Sequence, residues 1–440
     1  MAIALFGVGS AAGAPAKAPN LGDWPAYGGG PPGDRYSTLT QIDPSNVGRL
    51  TEAWRFDTGP GGLQTQPLVV DGRLYGVTPH QEVFALDGAT GRLIWRYEPE
   101  PRGLQPVRGL TYWRKGGVAR LFTSNASYLT AIDPGTGKPV PEFGHGGSID
   151  LREGLGRPAS EAPAWLTTPG VIFGDLIIVG FRTGETHPAA PGAVRAYDVR
   201  TGALAWTFDL IPKPGQYGHE TWPDDAWRTA GGANNWTGMV VDPRRGVVYV
   251  PTGSAVDDFY GADRHGDNLF ANSLVALDAR TGKRLWHFQA VHHDMLDRDL
   301  PSPPVLLTVT HAGRRVDAIA QPTKQGVLFL LDRVTGKPLF PVEERAIPAS
   351  DTPGEQSSPT QPFPLKPAPF ARQRLTEEML TTRTPQANAE ARAAFAKLRS
   401  LGPFGPLSAT QQTVVFPGFD GGAEWGGSAV DRARGVIYIN

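Results

Sequence analysis

Ala85 to Trp95 reads ALDGATGRLIW. Alternating apolar residues run into an Asp, a Thr-Gly turn supplies a position suited to positive φ, and a second apolar alternation returns to Trp, the pattern of a β-hairpin. The phrase recurs as AIDPGTGKPV from Ala131, AYDVRTGALAW from Ala196, ALDARTGKRLW from Ala276 and LLDRVTGKPLF from Leu330. Its aspartates, Asp87, Asp133, Asp198, Asp278 and Asp332, are far enough apart for each copy to belong to its own four-stranded sheet. Radial repetition of such sheets, with unequal loops on one face, is a β-propeller, so the predicted fold is all-β.

Composition agrees. In 440 residues, 55 Gly and 42 Pro beside 40% hydrophobic content suit a turn-rich globular chain rather than a disordered one. A formal net charge of −1 provides no basic field for a phosphate backbone, which argues against a nucleic-acid partner. The absence of Cys excludes thiol nucleophiles, Cys-ligated zinc, disulfides and a Cys-attached c-type haem, and leaves the compartment open. The chain holds 11 Trp, several of them at the repeated hairpin position, where a flat ring can wedge between neighbouring sheets.

Residues 1–22 carry a short apolar stretch followed by small residues, and read either as the remnant of an export signal or as a disordered tail. Residues 23–440 read as one partial propeller. Trp54 ends an apolar run that would be an outer strand of the ring-closing blade. A Pro-rich and helical insertion is expected over 341–413, with Thr384 as N-cap, Pro385 in the first turn, an apolar face of Ala391, Ala394, Phe395 and Leu398, and a stop at Gly402-Pro403. The strand ending at Asn440 has no partner in the sequence, so the chain is expected to be a fragment holding about five to six blades.

GDRYSTLTQIDPSNVGRL (33–50), GGANNWTGMVVD (231–242), VHHDMLDRDLP (291–301), QPTKQG (321–326) and AEWGGSAVD (423–431), taken in order with the hairpins, resemble the pyrroloquinoline quinone (PQQ) dependent dehydrogenases, and within them the membrane-type glucose dehydrogenase branch. The resemblance implies an eight-bladed propeller of the quinoprotein type, roughly three blades more than the five repeats. It also implies PQQ and a divalent cation, usually calcium with magnesium as the alternative, near the axis. Hydride removal from an alcohol needs a base, a Lewis acid and a flat wall for a tricyclic quinone. By resemblance Asp297 is the base, Lys324 touches the quinone oxygens, Trp236 is the stacking ring and Arg108 pairs with a PQQ carboxylate. Glu185, Ser254 and Asp297 would be the metal ligands, with Ser254 standing where alcohol-oxidising relatives have Asn. His80 takes the place of a cysteine pair that covers PQQ in methanol and ethanol dehydrogenases, and Gln64 takes the place of a Glu. Ser124, Thr167, Thr168 and Trp425 complete the expected cofactor contacts.

Singly, each residue has another reading. Trp236 suits an interblade ring, Lys324 the surface, Glu185 a loop, Arg108 an ion pair, and Ser124, Thr167 and Thr168 ordinary strand positions. HHDMLDRD suits a solvated loop, or a transition-metal site at His292 and His293. Asp294, Asp297 and Asp299 are not all expected to face the axis. The expected function is periplasmic oxidation of a sugar or other alcohol, with electrons passed to a quinone or a separate carrier and membrane association arising from segments outside this chain. The alternatives are a non-catalytic propeller scaffold of the outer-membrane assembly type and an inactive, truncated family member.

Overall fold

The computed structural model describes residues 22–440, so the export-signal reading falls outside the described residues. Four antiparallel four-stranded meanders follow one another along the chain. The first comprises β1 (Leu68–Val70), β2 (Arg73–Val77), β3 (Val83–Asp87) and β4 (Leu93–Tyr97), and the second β5 (Thr111–Lys115), β6 (Val118–Asn125), β7 (Tyr128–Ile132) and β8 (Ser148–Asp150). The third holds β9 (Val171–Phe173), β10 (Leu176–Val179), β11 (Ala193–Asp198) and β12 (Leu204–Asp209), and the fourth β13 (Val240–Asp242), β14 (Val247–Pro251), β15 (Ser273–Asp278) and β16 (Arg284–Gln289). A fifth sheet has three strands, β17 (Val305–His311), β18 (Arg314–Pro322) and β19 (Leu328–Asp332).

Beyond these lie a run of short elements and a final pair of strands. The run comprises the hairpin β20 (Val342–Ala346) and β21 (Thr360–Pro364), helix α1 (Pro385–Phe395) and the short parallel pair β22 (Arg399–Ser400) and β23 (Thr413–Val414). The strands β24 (Ser428–Asp431) and β25 (Val436–Ile439) then pair with each other.

First strands touch first strands: β5 meets β9, β9 meets β13, β13 meets β17 and β17 meets β24. That succession is propeller geometry. The core is accordingly a series of layers between sheets rather than one centre. In β10, Ile177 and Val179 face the layer shared with the second sheet, while Ile178 faces the layer shared with the fourth. Side chains alternate across a strand, so a sheet buried on both faces needs continuous apolar runs such as Leu176-Ile177-Ile178-Val179.

The repeated phrase closes these layers. Asp87 Oδ1 accepts from the Thr90 amide (3.0 Å) and hydroxyl (2.8 Å), and equivalent bonds hold the turns at Asp133, Asp198, Asp278 and Asp332. The Trp95 indole donates to the Pro134 carbonyl (3.1 Å), Trp206 to Ala279 (3.2 Å) and Trp286 to Arg333 (3.3 Å), each reaching into a later turn. Trp54 does the same to Gly88 (3.2 Å), although its own segment forms no strand. A Cβ on Gly282 would lie 2.5 Å from the Trp206 ring, and φ there is +71°, so Gly is required twice over.

Two of the five copies depart from the expected hairpin. After Asp133 and Asp332 the return segment is reduced to the bridges Ile132–Pro139 and Leu331–Pro338. These are the copies reading Gly-Lys-Pro, and proline has no N–H to give a ladder. Helix α1 begins as expected, the Ala387 amide donating to Thr384 Oγ1 (3.0 Å), but it ends at Phe395, leaving Leu398 outside and none of its residues buried.

Residues 24–35 tie distant sheets together. Trp24 exchanges backbone bonds with Val69, the Val241 amide donates to Pro31, that of Leu306 to Pro32, and that of Val430 to Asp34.

Candidate active site

Every segment that reaches the site precedes a first strand or follows a second strand, so all project from one edge of the sheets. Gln64 precedes β1, Arg108 precedes β5, Thr167 precedes β9 and Glu185 follows β10. Trp236 precedes β13, Ser254 follows β14, Asp297 and Asp299 precede β17, and Lys324 follows β18. These residues line one cavity of about 390 Å³, within the range of cofactor pockets. Asp297 and Lys324 therefore share the fifth sheet, one beyond Trp236.

The centre is a buried lysine between two aspartates. Lys324 Nζ donates to Asp297 Oδ2 (2.8 Å) and Asp299 Oδ2 (3.3 Å), and at 4% exposure it is no surface lysine. Burial alone would push Lys324 down, but Asp299 and Asp297 outweigh it and hold its pKa above the usual lysine range. Asp299 also accepts from the Trp236 indole (2.9 Å), the Ser254 amide (2.6 Å) and the Ser254 hydroxyl (3.0 Å). The Lys324 charge first, and then these donors, overcome its burial and hold its pKa below the carboxylate range. For Asp297, burial followed by repulsion from Asp299 pushes the pKa up to about 9 despite the lysine. One cation serves two carboxylates, and Asp299, with more donors, is the one held ionised.

Local backbone makes this approach possible. A Cβ on Gly253 would stand 2.6 Å from Asp299 Oδ1, so only Gly lets that carboxylate reach the Ser254 amide. Asp297 adopts φ +53°, a left-handed conformation costing a non-Gly residue about 1 kcal/mol. Behind it, Asp294 is buried and accepts from the Ser254 hydroxyl (2.5 Å) and Asn272 (2.9 Å). Two of the three aspartates thus line the cavity and the third supports Ser254.

Arg108 forms the opposite wall. Its guanidinium lies 5.2 Å from the Trp236 ring and 5.0 Å from that of Trp425, and its Nη2 donates to Gln64 Oε1 over 3.4 Å. It is 7% exposed, yet among the described residues Nε and Nη1 have no hydrogen-bond partner, so it does not serve as a structural ion pair there. Burial lowers its pKa to about 10. Orphaned, buried cationic donors beside indole rings fit a flat anionic ligand bearing carboxylates, as PQQ does.

The remaining expected residues separate into supports and outliers. Thr167 and Thr168 both donate to the Trp236 carbonyl (3.0 and 2.9 Å), holding that residue in place, though only Thr167 lines the cavity. Ser124 donates to the Leu166 carbonyl (2.6 Å) and does not reach the cavity. His80 is exposed and outside the lining, and Trp425 touches the site through Arg108. His292 and His293 do not converge: His292 contacts Gln289 and Glu344, while His293 Nδ1 contacts the Gly266 carbonyl (2.8 Å).

Sequence reasoning passed over Asp258, Asp299 and Arg182, all of which line the cavity. Asp299 was legible as the alternate partner of Asp297 in Asp-Arg-Asp; Asp258 and Arg182 carried no such signal. Burial, then repulsion from Asp299, Asp294 and Glu185, pushes Asp258 up to about 8. The carboxylates of Glu185, Asp258, Asp297 and Asp299 are hard oxygen donors of the kind calcium and magnesium take. They are not gathered into a ligand set: Glu185 pairs with Arg182 and Asp297 with Lys324, and among the described residues no three His, Cys, Asp or Glu side chains cluster to hold a metal.

A family profile described as "PQQ: Glucose/ethanol/alcohol dehydrogenase, beta-propeller domain" matches residues 24–440. The chain belongs to this family. It is 35% identical over 456 residues to the quinoprotein glucose dehydrogenase of Escherichia coli (strain K12), covering 95% of this chain and 55% of that protein. It is 33% identical over 450 residues to the glycerol dehydrogenase large subunit of Gluconobacter thailandicus, covering 96% and 60%. Among solved structures, the quinohemoprotein alcohol dehydrogenase from Comamonas testosteroni superposes with a TM-score of 0.72 at 25% identity, covering 95% of this chain and 57% of that one. The chain thus spans little more than half the length of these relatives. The family is one of PQQ-linked oxidoreductases acting on alcohols and sugars.

Proposed function

We propose that the protein to which this chain belongs oxidises a sugar or related polyol in the periplasm and passes two electrons to a quinone. The observation that carries the reading is the single cavity bringing Asp297, Lys324, Trp236 and the unpartnered Arg108 donors together. PQQ, when bound, would supply the two-electron acceptor. Trp236 would offer it a flat wall, Arg108 a charge for its carboxylate, and Lys324 a buried cation for its quinone oxygens.

Asp297 would accept the hydroxyl proton as the carbon gives up hydride. A base must be ionised, and burial works against that here. Asp297 and Glu185, with Asp258 beside them, are the residues that would hold a divalent cation once drawn together, and such an ion would favour the ionised carboxylate. Ser254 is better suited to holding Asp299 than to metal ligation, since its hydroxyl already donates to two carboxylates.

The test is reconstitution of the full-length protein. PQQ with calcium or magnesium should give sugar-dependent dye reduction, and chelation before PQQ addition should abolish cofactor uptake as well as activity. PQQ uptake undiminished in excess chelator would remove the cation from the reading. Activity on simple monohydric alcohols in place of sugars and polyols would reassign the substrate and leave the chemistry intact.

A further inference from the structure

Between the two cavity-lining aspartates stands Arg298, whose side chain points the other way. It is 0% exposed, one of the largest fully buried side chains among the described residues. Among the described residues its guanidinium bonds no carboxylate. Nε donates to the Pro403 carbonyl (3.0 Å), Nη1 to Gly418 (3.0 Å) and Nη2 to Pro417 (2.9 Å). All three acceptors lie in the stretch leading out of the 341–413 insertion, more than 100 residues along the chain.

The backbone of Arg298 is fixed on the site side. Its amide donates to Asp294 Oδ2 (2.5 Å) and its carbonyl accepts from Asn272 Nδ2 (3.0 Å). The residue before it, Asp297, is held at φ +53°. Another contact couples the same stretch to the site wall: the Phe419 ring meets Phe259, next to Asp258, with centroids 4.9 Å apart. The Gly422 amide also donates to the Lys324 carbonyl (2.7 Å).

A buried guanidinium satisfied by three main-chain carbonyls is a rigid fork, because its planar donors fix the direction of every acceptor. Lysine cannot reproduce it, having one nitrogen for three oxygens spread over two chain segments. We propose that Arg298 is a positioning residue through which the 403–418 stretch sets the place of Asp297 opposite Lys324. The proposal rests on the functional reading of Asp297 above. The insertion would then act on turnover without touching substrate, by locking the strained backbone that aims the base.

The test compares Arg298→Met, which keeps bulk and loses the fork, with Arg298→Lys in the full-length holoenzyme. In Arg298→Met, PQQ binding followed by tryptophan fluorescence should stay within about threefold of the parent, while kcat falls about tenfold or more with KM little changed, as expected when a reacting group is misplaced. Arg298→Lys should recover part of that loss. Hydrogen exchange, measured without PQQ, should rise together at 294–299 and 403–418 in Arg298→Met. A folded Arg298→Met with kcat within about twofold of the parent overturns the proposal, as does faster exchange at 403–418 alone. If the Met variant does not fold, Arg298→Lys decides, and parental kcat in that protein overturns the proposal too. A parent without PQQ-dependent turnover would sink the functional reading instead, and the exchange experiment would still show whether the two stretches are coupled.

Discussion

At the scale of single residues, the site is a contest for one cation. Asp297 and Asp299 are two positions apart, both face the cavity and both lean on Lys324, but Asp299 has Trp236 and Ser254 as further donors. Different tasks follow from the same chemistry. Asp297→Asn should still take up PQQ and lose turnover by about 10²-fold or more, the effect of removing a general base. Asp299→Asn should fail earlier, because the carboxamide cannot hold Lys324 and leaves the Trp236 indole and Ser254 amide poorly met; PQQ affinity should fall along with turnover. Asp294→Asn, outside the cavity lining, should keep most PQQ affinity. Titrating PQQ into the three variants and comparing affinity with kcat separates these roles, and an Asp297→Asn protein as active as the parent would show that the base lies elsewhere.

At the scale of elements, the unit is a turn of one sheet gripping the Trp of another. The Trp95 ring packs against Gly137 and its indole N–H bonds the Pro134 carbonyl. Trp95→Phe keeps most of the packing and leaves that carbonyl unmet, so it should cost about 1 kcal/mol. Trp95→Ala adds a cavity between sheets and should cost about 3 to 5 kcal/mol. Urea denaturation of both proteins checks the ratio; equal losses would mean that the hydrogen bond, not the packed ring, holds the layer. The hairpin phrase was legible because Asp, Thr and Gly each do a local job. The two incomplete copies were legible too, in hindsight, from Pro139 and Pro338. The exposure of α1 was not: an apolar face in sequence says nothing about whether another element comes to cover it.

Across the whole molecule, neighbouring sheets are also joined by charge. Asp242, at the end of β13, receives Arg245 Nη1 (2.8 Å) and, from the fifth sheet, Arg333 Nη1 (3.1 Å), and its side chain is 3% exposed. Burial raises its pKa, but the two arginines and the Arg245 amide prevail and lower it. A carboxylate with a depressed folded pKa contributes stability that is present above its unfolded value near 3.9 and lost as pH falls through the folded one. Asp242→Asn should therefore destabilise by about 3 kcal/mol at pH 7, as expected for breaking a buried pair, and the deficit should shrink below about pH 4. Thermal melts of parent and variant across that range test the sign, and a deficit independent of pH would mean that lost packing, not charge, is responsible.

The sequence by itself determined the repeated sheet, because each turn is specified by residues within a few positions of one another. Through the order of its motifs it also pointed to the family and to Asp297, Lys324, Trp236 and Arg108 as the residues to watch. Only the tertiary structure decided which carboxylate of Asp297-Arg298-Asp299 is held ionised, that Asp258 and Arg182 join the cavity, that Ser254 serves carboxylates, and that Arg298 bonds a stretch more than 100 residues away. Those outcomes depend on burial and on donors supplied by other sheets. Neither quantity is carried by the local order of residues, since charge placement inside a propeller is set where loops from different blades meet.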